Sequence, residues 1–203
     1  MYSRGTKRKE QAASTKKRIF ETATMLFKEN GFYNTSITDI AEKSGVSVGS
    51  FYYHFKCKEA LLYILADEAD ANYAGFISST ENIISADNVL DLIQSLFLLV
   101  LDTYSSWGPE FSLILYSCMK RDPLLRDRMN NEERDFYRYI HELYQKGQSF
   151  GILRKDISAK QLAAAYVKAI RGAIIDWCVN DGAWDLRKHN ENLVEVFLGG
   201  IKA

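Results

Sequence analysis

Residues 36–58, "SITDIAEKSGVSVGSFYYHFKCK", decide how this chain folds. Ser36 followed by Asp39 is a capping-box variant that opens a short helix with Ile37, Ile40 and Ala41 on one face. Gly45 falls where that helix must stop, because glycine enters the left-handed turn without a steric cost. Ser47 can cap a second short helix that carries Val48, Phe51 and Phe55 inward. A small residue at Ala41 lets two helices cross closely, Gly45 turns the chain, and Phe51 pins the second helix onto the first. This spacing describes a helix-turn-helix, whose second helix fits the major groove of DNA. Ser47, Ser50 and Tyr53 are then left facing solvent, where hydroxyls can reach phosphates and base edges. Lys58 adds a cation at the start of the next helix, beside free N–H groups that also attract anions.

Helical periodicity continues on both sides. In "TKKRIFETATMLFKENG", residues 15–31, the apolar positions Ile19, Ala23, Leu26 and Phe27 recur on one face and Gly31 supplies the stop. A longer fourth helix begins at "KEALLYIL", residues 58–65. Further on, "NVLDLIQSLFLLVLDTYSSW" (88–107) reads as a helix buried nearly all round, and Trp107-Gly108-Pro109 breaks the chain before "EFSLILYSCMK" (110–120). Asp122 and Pro123 serve as N-cap and first position of one helix running through residues 124–151. Ser158 caps a helix over 159–181, and "NLVEVFLGGIK" (192–202) closes the chain. No convincing strand alternation and no repeat period occur. The fold class is all-α: a helix-turn-helix domain over 1–58 with a basic N-terminal arm, then a larger helical domain over 59–203.

The formal net charge of the chain is zero, yet residues 1–58 carry 11 Lys and Arg against 5 Asp and Glu, a net +6, which the remainder balances. A basic end on a neutral chain is the electrostatic footprint of a module that meets phosphate. Within the arm, Arg4, Lys7, Arg8 and Lys9 read as a solvated tail beside that module. The three cysteines, Cys57, Cys118 and Cys178, form no CxxC pair, which points to neither a zinc site nor a disulfide framework, and Cys118 sits among apolar residues as a packing group. With no apolar leader and no long uncharged apolar run, the expectation is a soluble cytoplasmic protein without a membrane partner. The three histidines, His54, His141 and His189, lie in no metalloprotease or nucleophile-elbow context, and no phosphate-binding glycine loop occurs. The chain reads as a non-enzyme with neither cofactor nor metal.

The run from Thr35 to Leu62, with Tyr52-Tyr53-His54-Phe55-Lys56 and Lys58 two further on, resembles the DNA-binding signature of the TetR family of transcriptional regulators. The resemblance covers about residues 14–65. It implies that Ser36 or Thr38, Ser47 and Ser50 line the DNA surface, while Tyr52, Tyr53, His54 and Lys58 hold the backbone. Cys57 departs from the pattern, where Asn, Thr or Asp is more usual, and removes one helix cap. The resemblance further implies a repressor that a small molecule releases from its operator. The alternatives are an activator or co-regulator of the same fold, and beyond those a helical-bundle enzyme or a protein adaptor.

Two features of the second domain suit such a regulator. Ala165, Ala169, Gly172 and Ala173 form a low ridge at helical spacing, and Val194, Phe197, Leu198 and Ile201 form an apolar stripe on the last helix. Two such helices from each of two subunits could build a homodimer that presents its recognition helices about 34 to 36 Å apart to a palindromic operator. Large apolar and aromatic side chains also crowd residues 89–177. Phe97, Tyr104, Trp107, Phe111, Tyr116, Met119, Tyr137 and Trp177 are the candidates to line a pocket for a small hydrophobic or amphipathic inducer, their hydroxyls orienting the guest.

Overall fold

A computed structural model describes the backbone of residues 3–203 and the side chains of residues 7–203. The chain divides into two compact units, residues 1–65 and 66–203. Eleven α-helices and two short 3₁₀ turns occur among the described residues, with no strand beyond an isolated bridge between Leu153 and Lys202.

The first unit holds α1 (Ser3–Asn30), α2 (Ile37–Lys43), α3 (Val48–His54), a 3₁₀ turn (Lys58–Leu61) and the first residues of α4 (Leu62–Thr80). Lys7, Arg8 and Lys9, expected in a solvated tail, instead belong to α1 as exposed helical residues, while the side chain of Arg4 lies outside the described residues. The core forms where the apolar stripes meet: Ile19, Ala23, Leu26 and Phe27 of α1, Ile40 and Ala41 of α2, and Phe51 of α3 are all buried. Each isoleucine, leucine or phenylalanine among them contributes roughly 1.5–3 kcal/mol on burial. Phe27 and Phe32 pack with ring centroids 4.8 Å apart, and Thr35 donates its hydroxyl to the Leu26 and Gly31 carbonyls, satisfying the end of α1. The residue that follows the cysteine starts a 3₁₀ turn in place of the α-helix expected there. Cys57 is its N-cap and makes no side-chain capping bond.

The second unit contains the rest of α4, a 3₁₀ turn (Glu81–Ile83), α5 (Val89–Trp107), α6 (Pro109–Arg121), α7 (Pro123–Asn130), α8 (Asp135–Ser149), α9 (Ala159–Val179), α10 (Leu186–His189) and α11 (Glu191–Ile201). Helix α5 is long and apolar enough to cross a membrane by length and composition alone. Its apolar residues are instead spent inside this unit: Leu92, Leu96, Phe97, Val100 and Leu101 are buried, and the Ile93 carbonyl accepts a 3.1 Å bond from the buried Tyr166 hydroxyl of α9. The N-caps at Asp122 and Ser158 form as the sequence predicts, the latter as a full capping box with Gln161. The single helix expected over 124–151 is two, because Asn131 accepts from the Glu133 amide at 2.9 Å and turns the chain between α7 and α8. Short helix α10, capped by Asp185, lies in a stretch whose four helical residues are too few to carry a periodic signal.

Candidate nucleic-acid interface and ligand cavity

The α2–turn–α3 segment closes through local bonds. Ser36 and Asp39 form the reciprocal capping box, and Asp39, held by the Ser36 hydroxyl and then by its amide, has its carboxyl below the usual carboxylate range. At the other end of α2, Ser44 is buried and returns its hydroxyl to the Ile40 carbonyl at 2.6 Å. Gly45 then turns at φ +65°, where a side chain is strained whatever the available space, and the Val46 amide bonds the Ala41 carbonyl at 2.9 Å. Ser47 caps α3 by accepting from the Ser50 amide, and Phe51 packs on Phe55 at 5.5 Å.

With those phenylalanines inside, α3 turns a polar and aromatic face outward. Tyr53 is 78% exposed, Tyr52 is 52% exposed, Ser47 is exposed, and Ser50 is half-buried at the edge. Thr38 is also exposed, on α2. His54 is half-buried with its ring edge against Tyr53; burial first, and the Lys16 charge second, hold its pKa below the ordinary histidine value. Exposed Lys16, Lys43 and Lys56 complete the positive surface.

Three assignments require correction. Ser36 is exposed, but its hydroxyl both donates to and accepts from Asp39, so its hydrogen bonding is spent on the cap. Lys58 turns inward: its ammonium donates to the carbonyls of Phe32 and Thr35 and lies over the Phe32 ring at 4.2 Å. Two of its three N–H bonds therefore tie the 3₁₀ turn to the connection between α1 and α2. Val48, expected inside, is 40% exposed: at i, i+3 and i+7 it shares a side of the helix with Phe51 and Phe55, but it stands at the first position of α3, ahead of the packed turns. It was missed as a candidate contact; an exposed branched apolar residue at the head of a recognition helix can meet a thymine methyl.

In the second unit a cavity of about 40 Å³ lies among α4, α5, α6, α8 and α9. Tyr104, Tyr116, Met119 and Tyr137 of the expected set line it. The other four do not: Phe97 packs edge-on against Tyr166, Trp107 packs against Tyr104, Phe111 is buried away from the cavity, and Trp177 donates its indole N–H to the Trp184 carbonyl. Their bulk is core. Burial raises the pKa of Tyr104 and Tyr116, which stack at 5.9 Å, so both hydroxyls remain protonated donors. The sequence reading missed Arg134 and Arg171, two guanidinium groups in this otherwise apolar lining. Charged residues read as solvent-facing, and only contacts with other helices turn these two inward: Arg134, the N-cap of α8, toward α4, and Arg171 of α9 toward Tyr137 of α8. Arg134 pairs with Asp70 of α4 and also bonds the Met129 carbonyl.

The ridge and stripe divide in the same way. Ala165 and Gly172 are exposed, Ala169 is half-buried, and the ridge continues through Ile175 and Val179. Ala173 is buried in this chain's own core, as are Val194, Leu198 and Ile201 of α11, and these four are unavailable to a second subunit. The helical period sends them inward and leaves Leu193 and Val196 on the outer side. Phe197 sits between the two sets, edge-on to Tyr166. Among the described residues no cluster of His, Cys, Asp and Glu could hold a metal.

The sequence profile described as bacterial regulatory proteins, tetR family, matches residues 19–63. Along most of its length the chain is similar to the transcriptional regulator UidR of Escherichia coli K12, 24% identical with 82% of this chain and 83% of that protein covered. It is also similar to the transcriptional regulator TtgR of Pseudomonas putida, 27% identical with 96% and 94% covered. In fold it matches the transcriptional regulator FadR of Bacillus subtilis, solved in complex with stearoyl-CoA, at a TM-score of 0.72 and 17% identity over 91% of this chain and 98% of that one. The capped α2, the glycine turn and the phenylalanine-anchored α3 all lie inside residues 19–63, so the segment of this chain that matches bacterial regulatory proteins of the tetR family is the helix-turn-helix itself.

Proposed function

We propose that this protein is a cytoplasmic, homodimeric repressor that leaves a palindromic operator when a small hydrophobic or amphipathic ligand enters the second unit. The observation that carries the DNA half is the outer face of α3, where Ser47, Val48, Tyr52 and Tyr53 stand exposed on a helix anchored by Phe51 and Phe55. Val48, Ser47 and Ser50 approach base edges; Tyr52, Tyr53, His54 and Thr38 meet the backbone; Lys43 and Lys56 add charge. The outer ridge of α9 and the outer residues of α11 join two subunits, and two recognition helices then span successive grooves. The TtgR, UidR and FadR likenesses support this division of labour, and the FadR complex shows that this fold can be solved with an acyl thioester ligand.

Release works by population shift. Helix α4 begins in the DNA-binding unit and continues in the second, so a ligand that favours another position of α4 changes the spacing of the recognition helices. To carry the protein from 1:99 to 99:1 the ligand must prefer the non-binding state by about 5.5 kcal/mol. The test is a gel shift on the intergenic DNA upstream of the protein's own gene, repeated over a salt series. Retarded bands that weaken steeply with salt support the reading, whereas absence of binding to any duplex at low salt sinks it.

A further inference from the structure

The inner cavity shares a wall with a second, larger space. Outside it lies an open groove of about 580 Å³ between α8 and α9, and both spaces are lined by Tyr137, Val167 and Arg171. Tyr137 donates its hydroxyl to the Met129 carbonyl at 3.0 Å and accepts from Arg171 at 3.0 Å, while Arg171 also donates to the Asn130 side-chain carbonyl at 2.7 Å. These three bonds hold Tyr137 and Arg171 in the wall that the two spaces share.

Arg171 differs from the other arginines around it. Arg128 pairs with Asp67, Arg134 with Asp70, and Arg138 with Asp135. Among the described residues Arg171 makes no ion pair, and its hydrogen bonds go to the neutral Asn130 and Tyr137. A half-buried guanidinium on neutral acceptors is under-used, because a carboxylate offers it a bidentate, charge-assisted pair that a carbonyl and a phenol cannot match. Lys168, one helical turn earlier in the same groove, likewise has no carboxylate partner among the described residues. The acidic residues of the groove, Glu132 and Glu133, do not reach Arg171: Glu132 is engaged by Lys160 at 2.8 Å, and the Glu133 backbone is held by Asn131.

We infer that the inducer is an amphipathic anion, whose acidic head is taken by Arg171 from the α8–α9 groove and whose apolar body displaces Tyr137 to enter the inner cavity. This rests on the ligand-released reading above. Tyr137 is thus both door and sensor. Its displacement frees the Met129 carbonyl, which Arg134 also uses, and Arg134 is the residue that grips Asp70 on α4. Head-group capture and helix displacement are joined through one shared acceptor.

The experiment compares two matched pairs of probes, dodecanoate with dodecanol and naphthoate with naphthylmethanol, by calorimetry on the full-length protein. The native protein should bind the carboxylate of at least one pair about tenfold or more tighter than its alcohol. Arg171→Gln should erase that preference, so that each carboxylate binds no tighter than its alcohol. Tyr137→Phe, which releases Arg171 from one neutral partner, should tighten carboxylate binding several-fold, a gain that a misfolded variant would not give. Equal binding of carboxylate and alcohol by the native protein overturns the anion assignment alone and leaves the pocket standing. Retention of the carboxylate preference by Arg171→Gln also overturns it. Failure of all four probes overturns both this assignment and the ligand pocket beneath it.

Discussion

The two units use tyrosine in opposite ways. In the first, Tyr33, Tyr52 and Tyr53 are 74%, 52% and 78% exposed, while in the second Tyr73, Tyr104, Tyr139, Tyr144 and Tyr166 are all buried. An exposed tyrosine costs little to keep and offers a flat, hydroxyl-tipped surface to a polyanion. A buried one must find a partner for its hydroxyl or bear the loss. The same residue type thus reports a surface built for contact in one unit and a shaped interior in the other.

The largest expected effect breaks this contrast from the inside. Tyr144→Ala should destabilise the second unit by about 3–5 kcal/mol through the cavity left behind, whereas Tyr53→Ala should change stability by less than about 0.5 kcal/mol. Urea unfolding of both variants checks the pair. On operator DNA the order reverses: Tyr53→Ala should weaken binding by about 1–3 kcal/mol, read in a gel shift, and Tyr144→Phe should leave it unchanged.

A finer comparison lies within the buried set. Tyr166 donates to the Ile93 carbonyl, but the buried Tyr144 hydroxyl has no hydrogen-bond partner among the described residues. Tyr166→Phe should therefore cost about 1–2 kcal/mol, and Tyr144→Phe should be neutral or stabilising. Equal losses in the two thermal melts would show that the interior does not distinguish its hydroxyls.

The helix-turn-helix was legible in the sequence because its determinants are local. The Ser36–Asp39 box, the Gly45 turn, the Ser47 cap and the Phe51–Phe55 pair all lie within a few residues of their partners. Lys58 escaped that reading because its acceptors, Phe32 and Thr35, lie more than twenty positions away. The cavity was half legible for the same reason. Aromatic density pointed to the right helices, but only the packing of α8 on α9 separates Tyr104 and Tyr116, which line the space, from Phe97 and Trp177, which do not.

Lys58 sharpens the boundary between surface and interior in its turn. Lys58→Ala should lower the stability of the first unit by about 1–3 kcal/mol as two carbonyls lose their donor. Lys56→Ala, at an exposed site, should lower DNA affinity and flatten the salt slope by about one unit without a change in stability. The reverse assignment of these effects would return Lys58 to the DNA surface.

His54 supplies the smallest effect. Its folded pKa lies below the ordinary value, so the neutral ring is favoured in the free protein, and the stability this contributes is lost as pH falls through that lowered pKa. Phosphate nearby favours the charged ring, so operator binding should strengthen by a few-fold on acidification from about pH 7 to 6, and His54→Gln should abolish that increment. Pull-down at matched ionic strength measures it.

Helix α9 carries a consequence for how such a protein can diversify. Leu162, Tyr166, Ile170 and Trp177 face the core, Lys160, Ala164, Lys168 and Arg171 face the groove, and Ala165, Gly172, Ile175 and Val179 face outward. Because 3.6 residues make a turn, these three sets interleave along the chain: the core set takes the opposite side, whereas the groove and outer sets border each other, Lys168 four residues from Gly172 and Arg171 four from Ile175. On the proposed reading, gene duplicates that trade one chemical signal for another at Lys168 or Arg171 would also reshape the edge of the subunit seam, and selectivity and assembly would drift together rather than apart.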